Sequence, residues 1–205
     1  GWNDWGGHAR NLIKWAAEVD TTHPLTSGAN NRSVSDDDSN SAVVNKLIYE
    51  NGGVAGFNYG NMSGMNSLHQ TYPVFLYSET ASATTSRGIY VSQANNSNAD
   101  GKMHLTSYDT SSVGWGKTAH ASMWDTMTTD WLAGECVWTG FDYIGEPTPW
   151  NGTGTGDGGR GSVPNSSYFG IVETTGFAKD NYYLYRSQWN KDANTLHLVT
   201  AWDSD

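Results

Sequence analysis

The stretch Val74-Phe75-Leu76-Tyr77-Ser78-Glu79 decides how this chain can fold. Its first four residues form an unbroken apolar run, which is typical of a strand buried on both faces of a parallel sheet. A carboxylate follows two residues later, where nothing in the pattern points to solvent. We therefore expect Glu79 to lie at the mouth of a buried strand. A helix cap or a salt bridge is the structural alternative for this side chain.

Helical and strand-like segments alternate on both sides of this stretch. Helices are predicted at residues 8–20, 39–50, 63–71, 118–133 and 178–190, and further strands at 25–29, 54–59, 136–141 and 195–202. This alternation predicts an α/β fold with a parallel sheet and helices outside it. Two segments stand apart: a polar excursion at 83–117, too long for an ordinary loop, and a Gly-rich loop at 151–164.

The carboxyl ends of parallel strands are where such folds place their active sites. The side chains found there combine amides, a phenol, an indole and carboxylates, and the candidates are Asn58, Tyr59, Glu79, Trp138, Asp142 and Glu146. These groups suit a sugar, whose apolar face stacks on aromatic rings while its hydroxyls need hydrogen bonds. Each aromatic residue has core packing as its structural alternative.

Composition excludes several classes of partner. The net charge of −10, from 21 acidic and 11 basic residues, argues against a nucleic-acid partner, because phosphate contacts need basic patches. No apolar run approaches the roughly 20 residues that span a bilayer. Ten Trp and eleven Tyr favour sugar recognition or aromatic core packing. The compartment and the oligomeric state are not readable.

The residues that most often bind metals give no signal for a site. The single cysteine, Cys136, excludes an internal disulfide, and its apolar neighbour Val137 predicts a buried, inert thiol. The six histidines have no metal-ligand spacing relative to one another. We therefore expect neither a metal nor another cofactor.

Four motifs, in order along most of the chain, carry a family resemblance. Residues 56–59 read GFNY, residues 75–82 read FLYSETAS, residues 134–149 read GECVWTGFDYIGEPTP, and SYFG at 167–170 is followed by GFAKDNYYLY at 176–185. Together they resemble the bacterial β-galactosidases of glycoside hydrolase family 2. The family usually has Pro where this chain has Ala178, a minor departure.

The resemblance implies a fold and a mechanism. Residues 1–193 would be strands five to eight of a (β/α)8 barrel with their helices, and residues 194–205 would begin a following β-sandwich domain. The reaction would be retaining hydrolysis of a β-galactoside, with Glu79 as nucleophile and Tyr59 orienting it. Trp138 would form the floor of the sugar subsite, and Asn58, Asp142 and Glu146 would bind the substrate or fix the loop. Arg87 is expected to form a structural ion pair.

One half of the catalytic pair is missing from the sequence. In the family, the general acid/base belongs to an Asn-Glu pair at the end of the fourth strand, and no Asn-Glu pair occurs here. We expect it just before Gly1, which would make this chain an inactive fragment. The alternative is a non-catalytic carbohydrate-binding module, which would usually be an all-β sandwich. Mannoside, glucuronide and xyloside substrates also remain open.

Overall fold

A computed structural model describes residues 3–150 and 166–199. Its elements in these ranges are, in chain order, α1 Trp5–Val19, α2 Val43–Glu50, β1 Ala55–Asn58, α3 Met62–His69, β2 Phe75–Ala81, α4 Ala119–Met127, β3 Leu132–Trp138 and α5 Asp180–Trp189. The described residues form two compact units: the first runs up to Thr80 and includes Trp124–Cys136, and the second contains Ala81–Met123 and the residues from Val137 onward. The predicted Gly-rich loop at 151–164 lies outside the described residues.

The first unit is built on a three-stranded sheet in the order β1-β2-β3. β1 and β2 pair in parallel, with Ala55 opposite Phe75 and Phe57 opposite Tyr77. One face of these strands buries an apolar cluster, whose members are Ala55, Phe57, Met65, Leu68, Tyr72, Phe75, Tyr77 and Leu132. Burial of each large side chain contributes about 1.5–3 kcal/mol, so this cluster fixes which face of the sheet turns inward.

The predicted strand at 25–29 is an extended segment with one sheet bridge. It lies parallel to β1 through the bridge between Ala29 and Phe57, and Val54 N donates to Leu25 O at 2.8 Å. The approach is close enough to require glycine at position 56, because a Cβ there would lie 2.0 Å from the Ser27 carbonyl oxygen. The segment therefore adds backbone pairing to the edge of the sheet without forming a regular strand.

Local capping sets where the first two helices begin. α1 starts at Trp5, three residues before the prediction, because the Asp4 side chain accepts a hydrogen bond from Gly7 N at 3.0 Å. α2 starts at Val43, four residues after the prediction. Asn40 Oδ1 accepts from Ala42 N at 2.9 Å, and this turn occupies the residues that precede the helix.

The boundary between α4 and β3 corrects the sequence prediction. α4 ends at Met127, not near residue 133, and β3 begins at Leu132, not at 136. Residues 128–130 are Thr-Thr-Asp, all weak helix formers. Trp131 then leaves the helical path and packs on Phe75 with ring centroids 4.9 Å apart. Glu135 consequently lies within the last strand, and the expectation that it precedes that strand is wrong.

Cys136 is exposed, so the prediction of a buried thiol is also wrong. Successive residues of a strand point to opposite faces. The partly buried Val137 packs on an apolar cluster, whereas its neighbour turns outward. An apolar neighbour therefore carried no information about the burial of this cysteine.

The second unit contains the long polar excursion at 83–117. It has no helix or regular strand; the antiparallel bridge between Ala83 and Ser112 is isolated. Its buried side chains are mostly hydroxyls: Thr84, Thr85, Ser86, Thr106, Ser107 and Ser111. Ser86 Oγ accepts from Leu105 N at 2.9 Å, and Ser107 Oγ donates to Ser86 O at 2.8 Å. In this segment, side-chain hydroxyls form hydrogen bonds with backbone groups that would pair with other backbone groups in a sheet.

The predicted α/β class is confirmed as a mixed fold with parallel pairing of β1 and β2. Of the strand predicted at 195–202, residues 195–199 form no strand and the others lie outside the described residues. Within the described ranges, no helix is long and apolar enough to cross a membrane.

Candidate active site

The ends of β1 and β2 bring three of the predicted site residues together in the first unit. Asn58 is the register partner of Glu79, and Tyr59 N donates to Glu79 O at 2.8 Å. Tyr59 has φ +50°, in the left-handed region that bulky residues seldom adopt. The described contact between Tyr59 and Glu79 is thus made by backbone atoms, at the point where the chain leaves the sheet.

The pairing of the two strands is irregular at this point. Phe57 pairs with Tyr77, but the next residue, Asn58, pairs with Glu79. Ser78 is therefore an extra residue on β2, which defines a β-bulge. Bulges frequently occur next to active sites, where they re-aim a side chain.

The Glu79 carboxylate is half-buried, and none of residues 3–150 and 166–199 gives it a side-chain hydrogen bond or an ion pair. Carboxylates in partly buried positions are usually paired. A carboxylate without a protein partner at the end of a strand is available to a ligand or a reacting group.

Asn58 is held by protein on three sides. Its Nδ2 donates to Asn30 Oδ1 at 3.2 Å, and its Oδ1 accepts from Ser78 Oγ at 2.9 Å. The Arg32 guanidinium donates to its carbonyl oxygen through Nε at 3.1 Å and Nη2 at 2.6 Å. These contacts give Asn58 a structural function at the strand end, whereas sugar binding by this residue stays a prediction.

The remaining predicted residues lie in the second unit. Trp138 is 37% exposed, and its ring meets Tyr143 edge to face with centroids 5.8 Å apart. Tyr143 stacks in turn on Phe169 at 6.4 Å. The indole thus rests on an aromatic support and keeps accessible surface, which is what a stacking platform for a pyranose requires.

Glu146 has a protein partner on each carboxylate oxygen. Tyr143 OH donates to Oε2, and Thr148 Oγ1 donates to Oε1 at 2.7 Å. The carboxylate therefore fixes the turn after β3. A direct contact of Glu146 with sugar stays a prediction.

Asp142 forms an ion pair that the sequence did not suggest. Lys179 Nζ lies 2.7 Å from Asp142 Oδ2, and Gly170 N donates to Oδ1 at 2.7 Å. The Lys179 side chain is 1% exposed, and its ammonium also donates to Thr85 O at 2.7 Å. Burial raises the pKa of Asp142 and lowers the pKa of Lys179, and the opposite charge of each partner works against both shifts.

Sequence reasoning missed Arg32, Ser78 and Lys179. Lys179 lies 37 positions after Asp142 in the sequence, so no local spacing could have joined them. The predicted structural pairing of Arg87 is present, with Nε 3.1 Å from Glu173 Oε2 and the guanidinium over the Phe177 ring at 4.9 Å. In the part of the chain that the structure describes, no group of three or more His, Cys, Asp or Glu side chains could hold a metal ion.

The proteins that this chain resembles are glycosidases, and the chain is glycosidase-like. Over 95% of its length it is 34% identical to the β-galactosidase BoGH2A of Bacteroides ovatus, of which it covers 22%. Over 47% of its length it is 34% identical to a putative β-glucuronidase of Formosa agariphila, of which it covers 8%. The resemblance to the family 2 β-galactosidases is thereby confirmed, although no family model matches the chain.

A solved structure supports the fold. The chain is similar to a β-D-glucuronidase of Dictyoglomus thermophilum with a TM-score of 0.54 and 14% identity, over 93% of this chain and 30% of that one. At this identity the likeness concerns the fold alone. The chain spans about a fifth of the length of the curated β-galactosidase that it matches.

Proposed function

We propose that this chain is the nucleophile-bearing half of the catalytic barrel of a retaining β-galactosidase, with Glu79 as the nucleophile. The observation that carries the proposal is the half-buried Glu79 carboxylate, two residues before the carboxyl end of β2, which has no protein partner among the described residues. The likeness to a β-galactosidase over nearly the whole chain supports the reaction class.

In this mechanism Glu79 attacks the anomeric carbon and displaces the aglycone, forming a covalent glycosyl-enzyme that water then hydrolyses. Tyr59 orients the carboxylate, and Trp138 stacks on the apolar face of the sugar. Asn58, Asp142 and Glu146 shape the strand ends and the loop around the subsite.

The general acid/base is supplied by a second carboxylate, about 5–5.5 Å from the first in retaining enzymes. We assign it to an Asn-Glu pair outside this chain. The elements between α1 and α5 then correspond to the second half of the barrel, strands five to eight. Residues 1–193 belong to that half, and residues 194–205 begin the next domain.

A non-catalytic carbohydrate-binding module fits the structure less well. From α2 to α5 the helices alternate with the strands, whereas such a module would usually be an all-β sandwich. A module that only binds sugar also has no need of a carboxylate at a strand mouth.

The proposal is tested on the full-length enzyme that contains this chain. An activated aryl 2-deoxy-2-fluoro-β-galactoside should form a stable adduct on Glu79, identified by peptide mass spectrometry. The matching fluoro-β-glucuronide is tested for comparison, because two of the similar proteins are named as β-glucuronidases. Labelling by the glucuronide alone would keep the nucleophile and change the sugar. A label on a different residue would overturn the assignment.

A further inference from the structure

The alternation of side chains along β2 conflicts with the use of Glu79 as a nucleophile. Side chains two residues apart on a regular strand share a face. Phe75 and Tyr77 are 0% and 2% exposed and belong to the apolar cluster of the first unit. An uninterrupted strand would therefore point Glu79 into that cluster.

The bulge at Ser78 resolves the conflict. Because Ser78 is the extra residue, Glu79 pairs with Asn58, and paired residues of neighbouring strands point to the same side. Phe57, the residue before Asn58, is buried in the cluster, so Asn58 and Glu79 face away from it. The next residue, Thr80, is 3% exposed and donates to Glu135 Oε2 at 2.8 Å.

Side chains hold the bulge in place. The extra residue itself donates through Ser78 Oγ to Asn58 Oδ1 at 2.9 Å. Asn58 is anchored in turn by Asn30 and by the two donors of Arg32. Gly28 leaves room for this pair, since a Cβ there would lie 3.2 Å from Asn58 Oδ1 and 3.7 Å from Ser78 Oγ.

We propose that Ser78 is a positioning residue: its hydrogen bond to Asn58 locks the β-bulge that turns Glu79 out of the apolar cluster, with Arg32 anchoring Asn58. The role of the bulge in catalysis rests on the proposed function, whereas its effect on the orientation of residue 79 does not. Ser78 touches no reacting atom and acts through the direction of the neighbouring carboxylate.

The first readout needs no activity. In the full-length protein, Glu79→Cys introduces a thiol at the end of β2, and the exposed Cys136 on β3 is an internal reference. The maleimide labelling rate of the introduced thiol, divided by the rate at Cys136, is measured by peptide mass spectrometry. Adding Ser78→Ala should lower this ratio by at least about threefold, because a thiol turned into the cluster reacts only through local opening. Ser78→Thr keeps the hydroxyl and should preserve the ratio.

The second readout uses the native carboxylate. Ser78→Ala should lower the rate constant for trapping by the fluorogalactoside by about 10- to 100-fold, the typical effect of a misplacement near 1 Å. The binding constant of the same compound should change by less than about threefold, and Ser78→Thr should restore the trapping rate. Arg32→Gln should act in the same direction. Arg10→Gln is its matched control, because Arg10 also makes two hydrogen bonds in this unit but contacts the distant Asp38.

The outcomes separate the two proposals. An unchanged labelling ratio of the introduced thiol in the Ser78→Ala background overturns the positioning inference, whatever the activity. A lowered ratio in a protein whose Glu79 is never trapped by a fluorosugar supports the bulge and overturns the proposed nucleophile. Faster labelling at both thiols in the Ser78→Ala background would mean general unfolding; Arg32→Gln, if folded and unchanged in ratio, would then overturn the inference.

Discussion

Glu79 in the first unit and Asp142 in the second are both carboxylates at the end of an apolar stretch, but they differ in what holds them. Asp142 has a buried ammonium on one oxygen and a backbone amide on the other. Glu79 has neither an ion pair nor a side-chain hydrogen bond among residues 3–150 and 166–199. A carboxylate whose oxygens are both satisfied stabilises a fold, whereas one kept without partners is available for chemistry.

The most severe test of this contrast is Glu79→Gln in the full-length enzyme. The amide keeps the shape of the side chain but cannot form the glycosyl-enzyme bond. We expect kcat for an aryl β-galactoside to fall by more than about 10⁴-fold, with the free energy of unfolding unchanged because no protein contact is lost. Substantial residual turnover would place the nucleophile elsewhere.

Lys179→Met tests the opposite side of the contrast. It leaves the Asp142 carboxylate buried without its cation, which should lower the free energy of unfolding by about 3–5 kcal/mol in denaturant titrations. The double variant Lys179→Met with Asp142→Asn removes the stranded charge and should recover most of the loss. Equal stability of the single and double variants would show that the loss does not come from the stranded Asp142 charge.

The same variant has a pH dependence of definite sign. Burial raises the pKa of Asp142, so ionisation of this carboxyl lowers the free energy of unfolding. The effect is absent below the unfolded-state pKa of about 3.9 and grows as the pH rises through the higher folded-state pKa. Removal of Lys179 takes away the charge that opposes this shift. The free energy of unfolding of Lys179→Met should therefore lie furthest below that of the double variant at neutral pH, and the difference should shrink near pH 4.

Glu146→Ala sharpens the comparison with an intermediate effect. The substitution removes the hydrogen bonds from Tyr143 and Thr148, for a loss of about 1 kcal/mol in the free energy of unfolding. Glu146→Gln retains an acceptor for Thr148 and should lose less. A rise in KM of more than about tenfold with unchanged stability would instead identify Glu146 as a sugar ligand.

Asp20 provides the smallest effect, because this carboxylate is exposed. The hydroxyl and amide of Thr22, followed by His23, lower the pKa of Asp20 to about 2. A lowered folded-state pKa contributes stability above the unfolded value, and that contribution is lost as the pH falls toward 2. Thr22→Ala should raise the pKa of Asp20 in an NMR titration, and an unmoved pKa would contradict the assigned cause.

Sequence reasoning succeeded where short-range periodicity carried the information. The apolar run before Glu79 predicted β2, and α1, α3 and α5 lie within a few residues of their predicted bounds. It failed where periodicity continued past a break: Trp131 recurs at helical spacing after Met127 but packs on β2 from outside the helix. No periodicity could have revealed the bulge, since the extra residue is visible only once two strands are paired.

The candidate site follows the same division. The family resemblance predicted that Asn58, Tyr59 and Glu79 lie near adjoining strand ends. So did the rule that active-site residues follow the carboxyl ends of parallel strands. The partners of Asp142 and Asn58 did not, because contacts between residues far apart in sequence are set by tertiary packing. The hydrogen-bond and ion-pair partners of a carboxylate decide whether it is structural or reactive. Those partners are known only from the three-dimensional contacts.

The hydroxyl-based hydrogen bonding of the polar excursion at 83–117 limits which substitutions its sequence can accept. A sheet ladder accepts almost any side chain, because backbone pairs with backbone. Here the Ser86 hydroxyl accepts from Leu105 N, and the Ser107 hydroxyl donates to the Ser86 carbonyl, so the contact between these two segments depends on two small side chains. Replacing such a serine with alanine deletes the tether itself. This stretch is irregular in shape, but at its buried positions it is as restrictive about residue type as an apolar core.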